Sequence, residues 1–107
     1  PGKLELLTAG AAGAAVACMA EHPEAGAVQA AAGRMLANLT NGDMACKHAA
    51  LDAGALRAVT AALARHKDGL HVAIMACGVL ANLANGDGRC TAAVTKAGGA
   101  AAAAAAL

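Results

Sequence analysis

The chain has 107 residues, a formal net charge of +1 and no aromatic residue. This length limits it to one domain, and a nearly neutral chain without aromatic rings is not typical of nucleic-acid-binding proteins. Alanine supplies much of the 59% hydrophobic content, and it favours helices that approach one another closely over a core of large side chains.

Helical segments separated by Gly, Asn and Asp residues are predicted along the whole chain. The pair Asn41-Gly42 is a stop signal because both residues tolerate a positive φ, and Asp43 can cap the next helix through its side-chain oxygen. Asp68 is predicted to cap a later helix in the same way. In chain order the predicted helices are 3–8, 10–21, 24–39, 43–52, 55–66, 68–84, 87–96 and 98–107. No run of alternating β-branched residues predicts a strand, so the predicted class is all-α.

A phrase of six residues occurs twice. The segment Asn38–Asp43 returns almost unchanged as Asn82–Asp87, a step of 44 residues. The same step relates Cys46 to Cys90, and the pair Ala-Gly recurs at 9–10, 53–54 and 97–98. A period of this length, with one short and two longer helices, is typical of armadillo or HEAT arrays. The repeated phrase is then the end of one helix, a tight turn and the cap of the next.

The residues themselves carry a family resemblance. The stretch VQAAAGRMLANLTNGDMACKHAALDAGALRAVTAALARH, residues 28–66, resembles an armadillo repeat in its Leu-x-Asn-Leu helix end, its Asn-containing turn and its Ala-Gly-Ala junction. It is most similar to 44-residue armadillo repeats that end in an Ala/Arg-His step, as found in some large multidomain proteins, including kinases with armadillo regions. The heavy alanine content and the missing Ile-Pro step after the Ala-Gly junction depart from the family pattern.

This resemblance covers essentially the whole chain and implies a right-handed armadillo-type α-solenoid of a little over two repeats. The implied division is a partial repeat over residues 1–42, a complete repeat over 43–86 and a second partial repeat over 87–107. Because the last repeat lacks its third helix, we expect a fragment of a longer array, with flanking repeats of the same chain as its neighbours.

The resemblance also implies a binding surface on the concave face of the third helices. There the carboxamides of Asn38 and Asn82 could hydrogen-bond the backbone of an extended peptide. The alternative is that each Asn satisfies backbone groups near the end of its own helix. The nuclear-import adapters of the family carry Trp one turn earlier, where this chain has Arg34 and Gly78. The predicted groove is therefore shallow and suits an acidic or apolar partner better than a basic one. The predicted partner-binding residues are Asn38, Arg34, Asn82, Gly78, Met75 and His71.

No catalytic residue, metal site or cofactor is predicted. Cys46 and Cys90 occupy the same register, which favours packing over a unique nucleophile. His22 and His66 are one repeat apart, which is too far for a shared metal ion. The four cysteines form no CxxC pair, so we expect free thiols in a reducing, intracellular location, the cytoplasm or the nucleus. No apolar run reaches the length needed to span a membrane.

Three functions follow as hypotheses. The first is a non-catalytic scaffold that binds a protein or extended peptide through the concave face. The second is a structural spacer or regulatory armadillo arm of a larger multidomain signalling protein, with no ligand of its own. The third, which the repeat symmetry disfavours, is an enzyme that uses Cys46 or Cys90.

Overall fold

The computed structural model describes the backbone of residues 3–106 and the side chains of residue 3 and residues 6–98. This part of the chain is all-α, and none of its residues lies in a strand. The helices are α1 (Lys3–Glu21), α2 (Gly26–Thr40), α3 (Met44–Asp52), α4 (Ala55–Arg65), α5 (Leu70–Ala84) and α6 (Gly88–Ala106).

The helices form two neighbouring pairs. The pair α1 and α2 lies against the pair α4 and α5, with α1 packed on α4 and α2 packed along α5. The short helix α3 connects the pairs and contacts α1 and α2, while α6 packs on α4 and α5. Helix bounds recur at the 44-residue step, since α2 begins and ends 44 residues before α5, and α3 begins 44 residues before α6.

The turn and the cap predicted after each repeated Asn-Leu segment are confirmed, but the expected positive φ is not: Asn41 has a φ of −79°, and Gly42 also keeps a φ outside the left-handed region. A carboxylate oxygen of Asp43 accepts a hydrogen bond from the Cys46 backbone N–H at 2.9 Å, and Asp87 accepts one from the Cys90 N–H at 3.1 Å. These bonds lower the pKa of both carboxyl groups, because they stabilise the ionised form. The same cap is therefore built twice, one repeat step apart.

The helix breaks predicted at the first and last Ala-Gly pairs are wrong. Predicted helices 3–8 and 10–21 form the continuous α1, and predicted helices 87–96 and 98–107 merge into the continuous α6; Leu107 lies outside the described residues. Gly54 alone among the described residues has a positive φ, of 93°, and it breaks α3 from α4. A Cβ at Gly54 would lie 3.8 Å from the Val16 side chain, whereas one at Gly10 or Gly98 would meet nothing within 4 Å. At Gly10 and Gly98 no neighbouring side chain packs against a bend. The backbone hydrogen bonds of the alanine-rich helix therefore continue through both glycines.

The predicted start of α5 also differs from the structure. Gly69, not Asp68, precedes the first helical residue, and no side chain caps this end. The Gly69 N–H instead closes a turn by donating to the His66 carbonyl at 2.9 Å. Asp68 lies one residue too early for its carboxylate to occupy the N-cap position.

The core lies between the two helix pairs and is built mainly from small residues. Leu36 and Leu83 are its largest fully buried side chains, followed by Val59 and Val79. Gly33 of α2 lies directly against Met75 of α5: a Cβ at Gly33 would be 2.1 Å from the Met75 sulfur. The missing side chain thus lets α2 and α5 approach closely, as the alanine-rich composition predicts.

Candidate functional site

The predicted binding residues belong to α2 and α5, which pack side by side. On α2, Arg34 and Asn38 are exposed. On α5, His71 is exposed, while Gly78 and Asn82 are half-buried. Five of the six predicted residues keep some exposure. We call this set the seam surface: Arg34, Asn38, His71, Gly78 and Asn82.

The sixth predicted residue, Met75, is placed elsewhere. Its side chain is buried, with 5% of its surface exposed, and it fills the space above Gly33. Met75 therefore holds α2 against α5 and offers almost no area to a partner. Sequence periodicity missed this because Met75 follows the same helical stripe as Asn82, and only the glycine on the opposite helix makes room for it.

The two asparagines differ in their environment. Asn82 donates from its side-chain amide to the Ala37 carbonyl at 2.8 Å and to the Thr40 hydroxyl at 3.3 Å. Those groups belong to α2, so Asn82 cross-links the two helices. The Asn38 carboxamide makes no side-chain hydrogen bond to the described residues and faces solvent. Asn38 thus keeps its donor and acceptor available for a partner, whereas the amide of Asn82 is committed to the fold.

The floor of the seam surface is made of small residues. A Cβ at Gly78 would lie 3.7 Å from the Cβ of Ala37, which is ordinary van der Waals contact. The exposed residues that precede Arg34 on the same face of α2 are Ala27 and Ala31. A partner would therefore meet a shallow surface whose distinctive groups are one guanidinium, one carboxamide and one imidazole.

Lys47, for which the sequence predicted no role, joins the ends of α2 and α5. Only 8% of its surface is exposed, and its ammonium group donates to the Thr40 carbonyl at 2.6 Å and to the Asn82 carbonyl at 2.9 Å. These carbonyls belong to the last turns of α2 and α5, where helices lack internal partners for their C=O groups. The single lysine of α3, which sits between Cys46 and His48 in the middle of the helix, was the available sequence signal.

A second cluster lies where α3 meets the start of α6. The imidazole Nε2 of His48 lies 2.8 Å from a carboxylate oxygen of Asp87, and the Cys90 sulfur completes a group of three potential metal ligands within 4.8 Å of one another. Nitrogen, oxygen and sulfur donors of this kind can hold a zinc ion.

The hydrogen bonds that these residues already make give the cluster a structural role at the start of α6. Asp87 caps α6, and Cys90 is fully buried beneath Gly86. Burial, followed by the hydrogen bond to Asp87, raises the pKa of the Cys90 thiol and disfavours the nucleophilic thiolate. Asp43 and Cys46 form the same cap 44 residues earlier, and the residue that corresponds to His48 in the sequence is Leu4. The His48–Asp87 contact therefore joins α3 to the N-cap of α6 in addition to the cap itself.

Two open clefts flank α1. One, of about 580 Å³, lies between α1 and α3 and is lined by residues that include Leu6, Gly13 and His48. The other, of about 400 Å³, lies between α1 and α4, with Met19 and Gln29 in its lining and Arg57 and Arg65 at its edge. Gln29 is itself committed to the fold, since its amide donates to the Met19 and His22 carbonyls at 2.9 and 2.8 Å.

Within the described residues, no helix combines the length and the apolar character that crossing a membrane requires. Comparison with protein-family models, curated proteins and solved structures finds no match to this chain.

Proposed function

We propose that this protein is a non-catalytic interaction scaffold, and that its helices stack as an armadillo-type right-handed solenoid of a little over two repeats. The recurrence of helix bounds at 44 residues supports this stacking, as does the packing of α2 on its equivalent α5. Stacked units produce an extended surface across equivalent helices rather than an enclosed pocket. Flanking repeats of the same chain would lengthen that surface. The free thiols of Cys18, Cys46, Cys77 and Cys90 fit an intracellular location.

The observation that carries the proposal is the exposed Asn38 carboxamide beside the Arg34 guanidinium on the seam surface. A carboxamide offers one acceptor and two donor hydrogens, so it can match the N–H and C=O of an extended peptide. Arginine binds carboxylates in a bidentate manner. The Ala and Gly residues around them leave room for a peptide backbone to approach. The preferred ligand is therefore an extended segment of a partner protein that carries acidic or apolar side chains.

A displayed random-peptide library provides the test. We expect the chain to enrich extended peptides with acidic residues, and we expect binding of the enriched peptides to fall about tenfold or more in an Arg34→Ala/Asn38→Ala variant. The matched control is Arg57→Ala, which removes an exposed arginine from α4. Failure to enrich any peptide, or equal loss in the control, would show that the seam surface is not a peptide-binding site.

The second candidate function, a structural spacer or regulatory arm, is favoured by a different observation. The amide of Asn82 and the side chain of Met75 both serve the α2–α5 contact, which removes two of the six predicted residues from binding. A spacer predicts that Arg34 and Asn38 can be replaced without effect on any interaction, while changes at Asn82 lower stability. Measuring peptide binding and unfolding on the same variants distinguishes the two functions.

A further inference from the structure

Three side chains with different metal-binding donors meet where α3 packs on the start of α6. They are His48 of α3, Asp87 at the N-cap of α6 and Cys90 in the first turn of α6, and one donor atom from each lies within 4.8 Å of the other two. His48 and Asp87 are 39 residues apart in the chain, so the packing of the two helices brings them together. We call this group the α3–α6 cluster.

We propose that the α3–α6 cluster binds one divalent transition-metal ion of the zinc class, through His48 Nε2, Asp87 Oδ2 and the Cys90 sulfur. In a tetrahedral zinc site, neighbouring nitrogen, oxygen and sulfur donors lie about 3.3–3.6 Å apart. The His48 nitrogen and the Asp87 oxygen are now 2.8 Å apart and have to separate slightly, while the sulfur, at most 4.8 Å from either, has to approach. Rotation of the His48 and Asp87 side chains, which are both partly exposed, can supply shifts of this size.

The two carboxylate oxygens of Asp87 have separate partners. Oδ1 accepts the hydrogen bond from the Cys90 backbone N–H that caps α6. Oδ2 faces His48, and because the pKa of Asp87 is lowered, the ionised carboxylate accepts this bond and the His48 Nε2–H donates it. The metal ion takes the place of that proton, and the neutral imidazole keeps its one proton on Nδ1 instead. The cap at Oδ1 can therefore stay intact when the ion binds at Oδ2.

The charges of the cluster also suit a divalent cation. Coordination requires the thiolate of Cys90, so its thiol proton passes to solvent when the ion binds. One thiolate and one carboxylate then balance the two positive charges of the ion, which offsets the unfavourable dipole at the start of a helix. Cys90 is fully buried, whereas His48 and Asp87 are partly exposed. The ion can therefore enter from the side of His48 and Asp87, and a water molecule can fill the fourth position.

The repeat supplies a comparison site within the same chain. Asp43 and Cys46 form the equivalent cap at the start of α3, 44 residues earlier, with the same bond from a backbone N–H to a carboxylate oxygen. The position that corresponds to His48 in the sequence is Leu4, whose side chain offers no ligand. Capping therefore needs the aspartate alone, and His48 is the residue that adds a third donor. We expect the Asp43 cap to bind no metal ion.

Titration of the untagged 107-residue chain with Co²⁺, followed by Zn²⁺, tests the proposal. The chain carries Cys18→Ser and Cys77→Ser, because these two exposed thiols could otherwise bind cobalt. We expect one Co²⁺ per chain, a cobalt–thiolate charge-transfer band in the near ultraviolet, and loss of that band when Zn²⁺ displaces the cobalt. His48→Gln should weaken Co²⁺ binding about tenfold or more, since it removes a ligand while its amide can still donate a hydrogen bond to Asp87.

Two further measurements separate metal binding from a structural role. Cys90→Ser should abolish the charge-transfer band, and its matched control is Cys46→Ser, which removes the equivalent buried thiol and should leave the band unchanged. Zn²⁺ should raise the unfolding temperature of the chain but not that of His48→Gln, as followed by circular dichroism. Absence of the band, equal affinity in His48→Gln, or loss of the band in Cys46→Ser would each overturn the proposal. None of these readouts involves peptide binding, so the result is independent of the proposed scaffold function.

Discussion

Lys47 joins the carboxyl-terminal ends of α2 and α5 through a single ammonium group. In Lys47→Met, the Thr40 and Asn82 carbonyls lose this donor in a largely buried setting. We expect the free energy of unfolding to fall by about 2 kcal/mol, since a hydrogen bond to a charged group contributes about 1.5–3 kcal/mol. Urea denaturation measures this difference. The matched control is Lys67→Met, at an exposed lysine outside the helices, and it should change stability little; equal effects of both substitutions would contradict the role assigned to Lys47.

The two capping aspartates predict how stability depends on pH. Hydrogen bonds from the backbone N–H of Cys46 and Cys90 lower the pKa of Asp43 and Asp87 in the folded chain. A lowered folded pKa means that the caps contribute their stability above the unfolded pKa of about 3.9, and that this contribution is lost as pH falls through the lower folded value. Stability should therefore decline on the acid side of that range.

Replacing the two capping aspartates with asparagine distinguishes the effect of their titration from the effect of the cap itself. Asn caps helices about as well as Asp, but it does not ionise in this range. We expect Asp43→Asn/Asp87→Asn to keep most of the stability at neutral pH and to flatten the decline below pH 4, as followed by thermal melts at a series of pH values. Asp52→Asn serves as the control, since Asp52 pairs with Arg89 at the surface and caps no helix start. An acid decline as steep as that of the unaltered chain would show that other carboxyl groups cause it.

At the scale of the elements, the three Ala-Gly pairs provide a direct comparison. Gly10 lies inside α1, and a Cβ there would meet nothing within 4 Å, so Gly10→Ala should stabilise the chain by about 0.5–1 kcal/mol. Gly54 has a φ of 93°, so Gly54→Ala should destabilise it by about 1–2 kcal/mol. Thermal or urea unfolding of the two variants tests both signs. Destabilisation by Gly10→Ala would mean that α1 bends at this point as α3 and α4 do at Gly54.

This contrast also shows what the sequence could and could not predict. The turn, the stop and the cap around Asn41 and Asp43 were predictable, because each depends on residues within one or two helical turns. The conformation at Gly10, Gly54 and Gly98 was not, because identical Ala-Gly pairs bend only where another helix packs against the bend. The local sequence limits which backbone conformations are accessible, and packing against another helix determines which of them is adopted.

In the candidate site, too, some features were predictable from the sequence and others depended on how the helices pack. The resemblance to armadillo repeats implied that Arg34 and Asn38 lie on an accessible face of α2, and both are exposed. It could not separate Asn38 from its repeat equivalent Asn82, since only the presence of α2 beside α5 supplies the Ala37 carbonyl that binds the Asn82 amide. Lys47 escaped notice for a related reason, as its two acceptors come from different helices, 7 and 35 residues away in the chain.

At the scale of the whole molecule, three surface ion pairs join segments that are distant in the chain. The pairs Arg65–Glu24, Arg89–Asp52 and His48–Asp87 join residues that are 41, 37 and 39 positions apart. These pairs are partly or largely exposed, so each contributes only about 0–1 kcal/mol. They therefore add little to the packing of α2 on α5, which is the contact that the proposed solenoid would repeat. In such a solenoid, stability would grow with the number of interfaces between neighbouring units.

Lengthening the stack tests the solenoid arrangement. A second copy of residues 44–87 inserted directly after Asp87 adds one full period in register, and the added equivalent of α5 would cover Leu70 and Ile74 of the first. We expect the unfolding temperature to rise by several degrees, since about 1 kcal/mol corresponds to about 4–8 °C in a domain of this size. The first Cys77 should also become protected from thiol reagents, because it would lie under the added helix.

The control for this insertion keeps the composition and breaks the register. It carries the same 44 residues with their two halves exchanged, 66–87 before 44–65, so that α5 is followed by another α5-like segment without its α3 and α4. A solenoid gains an interface only when each new unit presents the complementary face to the one before it. The in-register chain should therefore melt at a higher temperature than the original, and the exchanged one at a lower temperature. A lower melting temperature for both would mean that α1 to α6 form a closed bundle. The sequence would then repeat every 44 residues without the helices stacking as an open array.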